Sequence, residues 1–395
     1  MAQHYLKRIV EDRAALPRDE ARILMQQVLK AEFTDLELAA LLGAISARGE
    51  DPAELAGFVD AMRAAATQVP LTDAERTLLI DTCGTGGDAS GTFNISTAAA
   101  LVAAAAAPAV MVAKHGNRAV TSKSGSADVL EALGIPVTLS SSAAAEALRR
   151  HRFAFLHAPS LHPAMKAVMP VRRALGVRTV FNILGPLTNP AGAQAQVMGV
   201  YSAHLVPIVA EAMRQLNVRH AFVVHGALSS NGSALAAPDS SQPDNSSDAK
   251  SRVTLPGLDE LSISGPSQLA EVRNTTVTLH QLTPEQVGLR TAPIQALNGG
   301  DASTNAEILR AIFAGEQGPR RDVVLLNAAA VLITAGAVAP TDLHAAFRAA
   351  IALAAHAIDS GAVAALVSTL AAADDQPTSS STPASKQGTA THPQA

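Results

Sequence analysis

The run DTCGTGGD over 81–88 sets three glycines between an apolar stretch and the polar run TFNIST at 92–97. Glycines there let backbone N–H groups approach an anion closely, and a helix starting behind them adds favourable partial charge. Asn94, Ser96 and Thr97 add side-chain donors. A bare glycine cluster is equally an ordinary turn, with Asn94 or Ser96 as a helix cap. A second run, KHGNRAVTSKSGS at 114–126, holds Lys114, Arg118 and Lys123 among Gly116, Gly125 and several hydroxyls. Cations at the end of a strand suit an anionic group. Two such loops on successive strand ends point to a ligand with two separated phosphates.

A third cluster comprises HPAMK at 162–166, Arg172 with Arg173, and FNILGPLTNP at 181–190. Successive helical residues point about 100° apart, so at most one of the two arginines faces a given pocket. An inward arginine pairs bidentately with a carboxylate, whereas a surface pair is the plainer alternative. The fourth is GLDELS at 257–262. In a regular strand Asp259 and Glu260 would point to opposite faces. They could then serve two different magnesium ions, or belong to a turn. His115 lies close by, and a lone histidine is more often structural.

The elements that must position these residues divide the chain. Residues 1–72 read as an all-helical domain. Thr34 with Glu37, and Asp51 with Glu54 behind Pro52, have the spacing of capping boxes. Leu36, Leu38, Leu41, Leu42 and Ile45, then Leu55, Phe58, Val59 and Met62, form one apolar stripe per helix. Those stripes need cover from the rest of the chain or from a second copy. From 78 onward, short apolar runs at 78–82, 109–113, 135–139, 153–156, 197–201 and 220–224 read as strands separated by helical stretches. That order predicts an α/β domain over 73–373 with a mainly parallel central sheet and chemistry at the strand C-terminal ends. Segments 227–256 and 374–395 are rich in Ser, Asp and Pro and too poor in apolar residues to offset ordering entropy, so both are expected to be mobile.

Composition narrows the function classes. The chain has 395 residues and a net charge of −4, which gives no global field to draw nucleic acid or an anionic membrane. Its one cysteine, Cys83, excludes an intramolecular disulfide and a cysteine-rich zinc site. The N-terminus lacks the charged-then-apolar order of a signal peptide. The apolar run 98–113 is interrupted by Pro108 and reads as a buried helix followed by a buried strand. A cytoplasmic protein is expected.

With these motifs in this order, the sequence resembles the anthranilate phosphoribosyltransferases of tryptophan biosynthesis, over about residues 5–370 outside the 227–256 insertion. The resemblance implies the fold shared by nucleoside phosphorylases and these transferases, and transfer of a phosphoribosyl group from phosphoribosyl pyrophosphate to the amine of anthranilate. Donor binding would fall to Gly84, Gly87, Asp88, Thr92, Asn94, Ile95, Ser96 and Thr97. Lys114, His115, Gly116, Asn117, Arg118, Ala119, Val120, Thr121, Ser122 and Ser126 would complete that set. Gly84, Asn117 and Arg172 would bind anthranilate. Ser96, Asp259 and Glu260 would hold Mg2+, in the family typically as two ions. No acid or base is assigned, because a neutral aromatic amine attacks while pyrophosphate leaves. A homodimer through the helical domain, with hinge motion on binding, is also implied; association with anthranilate synthase is left open.

The insertion departs from the family pattern, which places the Asp-Glu pair close behind the stretch corresponding to Val223–Gly226. Two rival functions are a pyrimidine-nucleoside phosphorylase and a non-catalytic nucleic-acid-binding relative. The KHGNR and HPAMK motifs oppose the first, and the acidic net charge opposes the second.

Overall fold

Strands buried on both faces along most of their length build one sheet. The computed structural model describes residues 2–119, 123–228, 257–339 and 342–372. Within them lie β1 (Leu79–Gly84), β2 (Met111–Gly116), β3 (Phe153–His157), β4 (Ala195–Gly199) and β5 (His220–Ala227). The short β6 (Gly257–Leu258) precedes β7 (Ser267–Arg273) and β8 (Thr276–Leu282). The order is β3-β2-β1-β4-β5-β7-β8, with β6 also paired to β5. The first five strands are parallel, whereas β6, β7 and β8 run antiparallel. The order reverses direction at β1, which lies between β2 and β4. In open α/β sheets the crevice beyond such a reversal is where ligands bind.

Ile80, Val112, Val197, Phe222 and Leu269 pack on one side of the sheet, under helices Ile95–Ala106, Pro319–Thr334 and Leu343–Asp359. The run 98–113 thus becomes the expected buried helix and then strand β2. Met198, Ala221 and Val223 point the other way, into a core shared with the N-terminal helices Arg18–Leu29, Asp35–Arg48 and Pro52–Ala65. The helical stripes are therefore covered by the same chain, except for Leu36, which lies in the first turn of its helix and is 81% exposed. Helix Pro52–Ala65 lies on Leu205–Gln215. Arg18 secures the junction with Nε on Asp60 Oδ2 at 2.8 Å and Nη1 on the Gln215 carbonyl at 2.7 Å. Among the described residues no single helix is long and apolar enough to cross a membrane.

Three local expectations change. The stretch 135–139 is no strand: Ile135 and Val137 are buried, but Pro136 has no N–H to give a ladder and the segment pairs with no neighbour. Thr34 and Glu37 form the expected capping box. Asp51 caps its helix through the Ala53 and Glu54 N–H groups, but Glu54 does not reciprocate. Its side chain is 1% exposed and is held by Arg48 and by the Leu16 N–H at 2.7 Å. Burial raises its pKa, and those donors oppose the rise. Finally, the β7–β8 hairpin went unread, because the β8 run TVTLHQL is largely solvent-facing and carries no apolar core pattern. Residues 229–256 and 373–395, including nearly all of the insertion and the whole tail, lie outside the described residues.

That hairpin carries a pH-sensitive contact. Glu271 Oε1 on β7 lies 3.0 Å from His220 Nε2 and accepts from Arg273, chiefly the former depressing its pKa from 4.5 to about 2. A depressed carboxylate pKa stabilises the fold above the unfolded value and loses that contribution as pH falls through the folded one. Glu271→Gln is expected to lower the melting temperature at pH 7, with the difference from wild type shrinking as pH falls from 4.5 towards 2. Thermal melts across that range check it; a constant difference would assign the effect to packing.

Candidate active site

Where β1 and β4 end side by side, Gly84 is the register partner of Gly199. Both positions need glycine for space. A Cβ on Gly199 would overlap the Asp259 carbonyl oxygen, and one on Gly84 would overlap the Asp259 carboxylate. The two strand ends thus form a notch into which the segment after β6 descends. Asp259 and Glu260 lie in a bend, the turn alternative left open by the sequence.

The notch gathers residues far apart in the chain. Asp259 Oδ2 accepts from the Gly86 N–H at 2.7 Å, and the Asp259 N–H donates to Asp88 Oδ2 at 3.4 Å. Glu260 Oε1 accepts from the Ser96 N–H at 3.0 Å, in the first turn of helix Ile95–Ala106. Lys114 is 1% exposed; its Nζ donates to the Thr82 carbonyl at 2.7 Å and to Ser96 Oγ at 3.2 Å. Burial, together with the charges of Asp88 and Glu260, pushes the Asp259 pKa well up. Burial holds Glu260 up at about 7, against the pull of Lys114. Burial also lowers the Lys114 pKa, with Asp81 and the two acids opposing it. Carboxylates this reluctant to ionise call for added positive charge.

The donor motifs divide in their surroundings. Gly86, Gly87, Ala89 and Gly91 all have φ between 59° and 74°, a left-handed run that exposes backbone N–H groups as an anion cradle does. Asn94 Nδ2 donates to the Ser124 carbonyl at 3.2 Å, tying the first loop to the second. Thr97 is buried within the helix and Ile95 in the core. Ser126 Oγ donates to the Asn117 carbonyl at 3.3 Å, close beside Gly116. The Ala119 N–H is taken by Asp128. Arg118 points away from service to a free anion: its guanidinium forks onto Glu131 at 2.6 Å and reaches Asp128 at 3.3 Å. Val120, Thr121 and Ser122 lie outside the described residues.

On the acceptor side, Arg173 is exposed while Arg172 is half-buried, as the helical spacing required. Its guanidinium carbon sits 5.3 Å from the Phe181 ring centroid, and among the described residues it has no ion pair. Burial lowers its pKa. It makes no hydrogen bond to Gly84 or Asn117; the side chain of Asn117 accepts from the Arg118 N–H at 2.8 Å. His115 and His162 bring the second and third motifs together, with ring centroids 5.2 Å apart and both Nε2 atoms buried without a partner among the described residues. Burial, reinforced by His162, depresses His115 to about 3, so this imidazole is neutral at physiological pH.

Several supporting residues escaped the sequence reading. Asp81 is fully buried and accepts from the His115 N–H at 3.1 Å. Asn305, 2% exposed, donates to Asn94 Oδ1 at 2.9 Å and accepts from the Gly300 N–H at 2.7 Å. It backs the TFNIST loop from 211 residues away. The NGGD run at 298–301 was its available signal. A buried aspartate within an apolar strand was the signal for Asp81.

The insertion joins two residues that are already neighbours, because Ala227 pairs with Gly257 across antiparallel β5 and β6. Closure is thus held by the ladder, and loop length adds entropy only slowly. Replacing residues 229–256 with a short Asn-Gly turn is expected to leave kcat and the magnesium requirement within about threefold of wild type. Steady-state rates across a magnesium titration test this. A large loss would give the insertion a part in the site.

Comparison with known proteins agrees in extent as well as in kind. Residues 3–66 match the glycosyl transferase family helical bundle domain, and 76–239 with 248–364 match the glycosyl transferase family a/b domain. An anthranilate phosphoribosyltransferase from Brevibacillus brevis is 47% identical over 320 residues, covering 81% of this chain and 84% of the relative. One from Solibacter usitatus is 46% identical over 367 residues, covering 93% and 97%. The crystal structure of the enzyme from Thermus thermophilus superimposes with a TM-score of 0.78 at 40% identity, over 93% of this chain and 98% of that one. The Saccharomyces cerevisiae enzyme, solved with phosphoribosyl pyrophosphate and magnesium, shares the fold at 24% identity with a TM-score of 0.76, covering 94% and 98%. On this combined similarity the chain belongs to the anthranilate phosphoribosyltransferase family.

Proposed function

We propose that this protein transfers the phosphoribosyl group of phosphoribosyl pyrophosphate to the amine of anthranilate, giving N-(5-phosphoribosyl)anthranilate and pyrophosphate. The observation that carries this reading is the convergence of Asp259 and Glu260 with Gly86, Ser96 and Lys114 at the ends of β1 and β2. The left-handed loop at 86–91 and the start of helix Ile95–Ala106 present N–H groups to the donor's diphosphate. The segment around Lys114, Gly116, Asn117 and Ser126 serves the donor's second anionic group. Arg118 serves it only by fixing the loop, since its charge is already paired.

The acids fit magnesium. Among the described residues no cluster of three or more potential ligands is already gathered round one point. Mg2+ binds through one or two carboxylates and completes its shell with substrate phosphates and water. Ser96, Asp259 and Glu260 would hold two ions, which supply charge neutralisation to the departing pyrophosphate. Magnesium in the yeast relative supports this use here.

The amine nitrogen bonds to the anomeric carbon as the bond from that carbon to the pyrophosphate oxygen breaks, and the substituted ammonium then releases its proton to solvent. Lys114 and the loop N–H groups stabilise the negative charge on the leaving group. Arg172 orients the acceptor through its carboxylate, with Gly84 and Asn117 beside it. His115, neutral and with its Nε2 free, puts no competing charge near the amine. The helical part up to residue 72 and the α/β part from 73 onward would form the two sides of a substrate cleft. Val10, Ile23 and Leu36 remain exposed on the helical part and supply the apolar surface for a homodimer.

The test mixes purified protein with phosphoribosyl pyrophosphate, anthranilate and magnesium and follows the loss of anthranilate fluorescence, with EDTA as control. Magnesium-dependent loss is expected. A folded protein that leaves anthranilate untouched but cleaves a pyrimidine nucleoside in phosphate would place the acceptor reading in error.

A further inference from the structure

The glycine loop is held from outside at several points: the Thr85 N–H donates to the Gly199 carbonyl at 3.0 Å, and the Gly91 carbonyl accepts from the Gly299 N–H at 2.9 Å. The Gly86 N–H is bound by Asp259, and the Thr85 hydroxyl accepts from the Tyr201 N–H at 3.0 Å. The middle of the loop is held by Arg178, whose Nη2 donates to the Gly87 carbonyl at 2.7 Å. Its guanidinium carbon lies 4.4 Å from the centroid of the Tyr201 ring, and its own carbonyl accepts from Ser46 Oγ on the N-terminal helix Asp35–Arg48 at 3.4 Å. Among the described residues Arg178 has no carboxylate partner. Its charge is committed to a ring face and a backbone oxygen, in an exposed position where a plain surface arginine would wander.

We propose that Arg178 is a positioning residue for donor binding: by gripping the Gly87 carbonyl it aims the loop's free N–H groups at the diphosphate. A trans peptide directs its C=O and N–H to opposite sides. Holding the Gly87 carbonyl therefore turns the Asp88 N–H the other way, and neither that N–H nor that of Gly87 has an acceptor among the described residues. Left-handed backbone is sparsely populated at the non-glycine Ala89, and Gly86 and Gly87 are free to leave it, so the loop needs external restraint to keep this shape. Tyr201 supplies a platform that fixes the guanidinium plane. Through Ser46 the same residue joins the helical part of the chain to the loop.

This inference rests on the donor assignment proposed above, and its test separates the two. Donor affinity is measured by calorimetry with phosphoribosyl pyrophosphate and magnesium, beside steady-state constants for both substrates, on wild type, Arg178→Ala, Arg178→Lys, Tyr201→Leu and the double variant Arg178→Ala with Tyr201→Leu. Arg178→Ala is expected to weaken donor binding and raise the donor KM roughly tenfold, the size of one charge-assisted hydrogen bond. The anthranilate KM should stay within about twofold, because Arg178 touches nothing on the acceptor side. Arg178→Lys should recover part of the loss. Tyr201→Leu keeps its backbone bond to Thr85 and should weaken the donor less, and the double variant should be no worse than Arg178→Ala alone. Unchanged donor affinity in Arg178→Ala overturns the proposal. So does an equal rise in both KM values with a lowered melting temperature, which would show a general structural role. Wild type that fails to bind the donor at all would overturn the donor assignment, and this inference with it.

Discussion

Replacing Asp259 and Glu260 together by Asn and Gln is expected to abolish magnesium-dependent turnover, by at least about a thousandfold, while leaving the protein folded. The substitutions keep side-chain shape, so the Gly86 and Ser96 N–H groups still meet an oxygen. What disappears is the charge that a divalent cation and the departing pyrophosphate need beside them. The effect on stability has the opposite sign. Burial, with repulsion from Asp88 added, already raises both pKa values, so ionising these acids opposes folding when no cation compensates them. In EDTA the double variant should therefore melt no lower than wild type, and added magnesium should raise the wild-type melting temperature alone. Activity and melting curves at matched magnesium concentrations check both halves. Full activity in the variant would remove the pair from the site. Lost activity with a lowered melting temperature in EDTA would make the pair structural.

The second large effect concerns the acceptor. Arg172→Ala is expected to raise the anthranilate KM about a hundredfold, from the roughly 3 kcal/mol at stake when a half-buried arginine loses a bidentate carboxylate. The donor KM should change little. The structural ground is what Arg172 lacks: it lies over the Phe181 ring, partly desolvated, and among the described residues has no acidic partner. A cation held in that way is poised for an anionic ligand, whereas its exposed neighbour Arg173 is not. Arg172→Lys should recover only part of the loss, because a point charge cannot make two parallel bonds to one carboxylate. Steady-state constants for both substrates settle it. An unchanged anthranilate KM would take Arg172 out of the acceptor site.

Much of the scaffold was legible because it follows from short-range pattern. Apolar runs alternating with helical stretches gave β1 to β5, and caps such as Thr34 with Glu37 marked helix starts. The phosphate-type loops were legible for the same reason: glycine, hydroxyl and cation chemistry is compressed into 81–97 and 114–126. Pattern failed where a residue's partner lies far along the chain. Glu54 has capping-box spacing, yet it turns inward to Arg48 and Leu16 because a half-buried guanidinium and a free N–H outcompete the local bond. The segment 135–139 has strand-like apolar content, yet Pro136 has no N–H to give a ladder and the segment stays unpaired.

By itself, then, the sequence determined the kind of fold, the family and the chemical character of each loop, all carried by neighbours in the chain. Only the tertiary structure decided which of those groups are free to act. It paired Arg118 with Glu131 and, among the described residues, left Arg172 without an acid. It set Arg178 on Tyr201 with a hand on Gly87, and lowered Asp259 into the notch between Gly84 and Gly199. Availability, burial and pKa are set by what packs around a group, and here those neighbours come from as far as 211 residues away, as for Asn94 and Asn305.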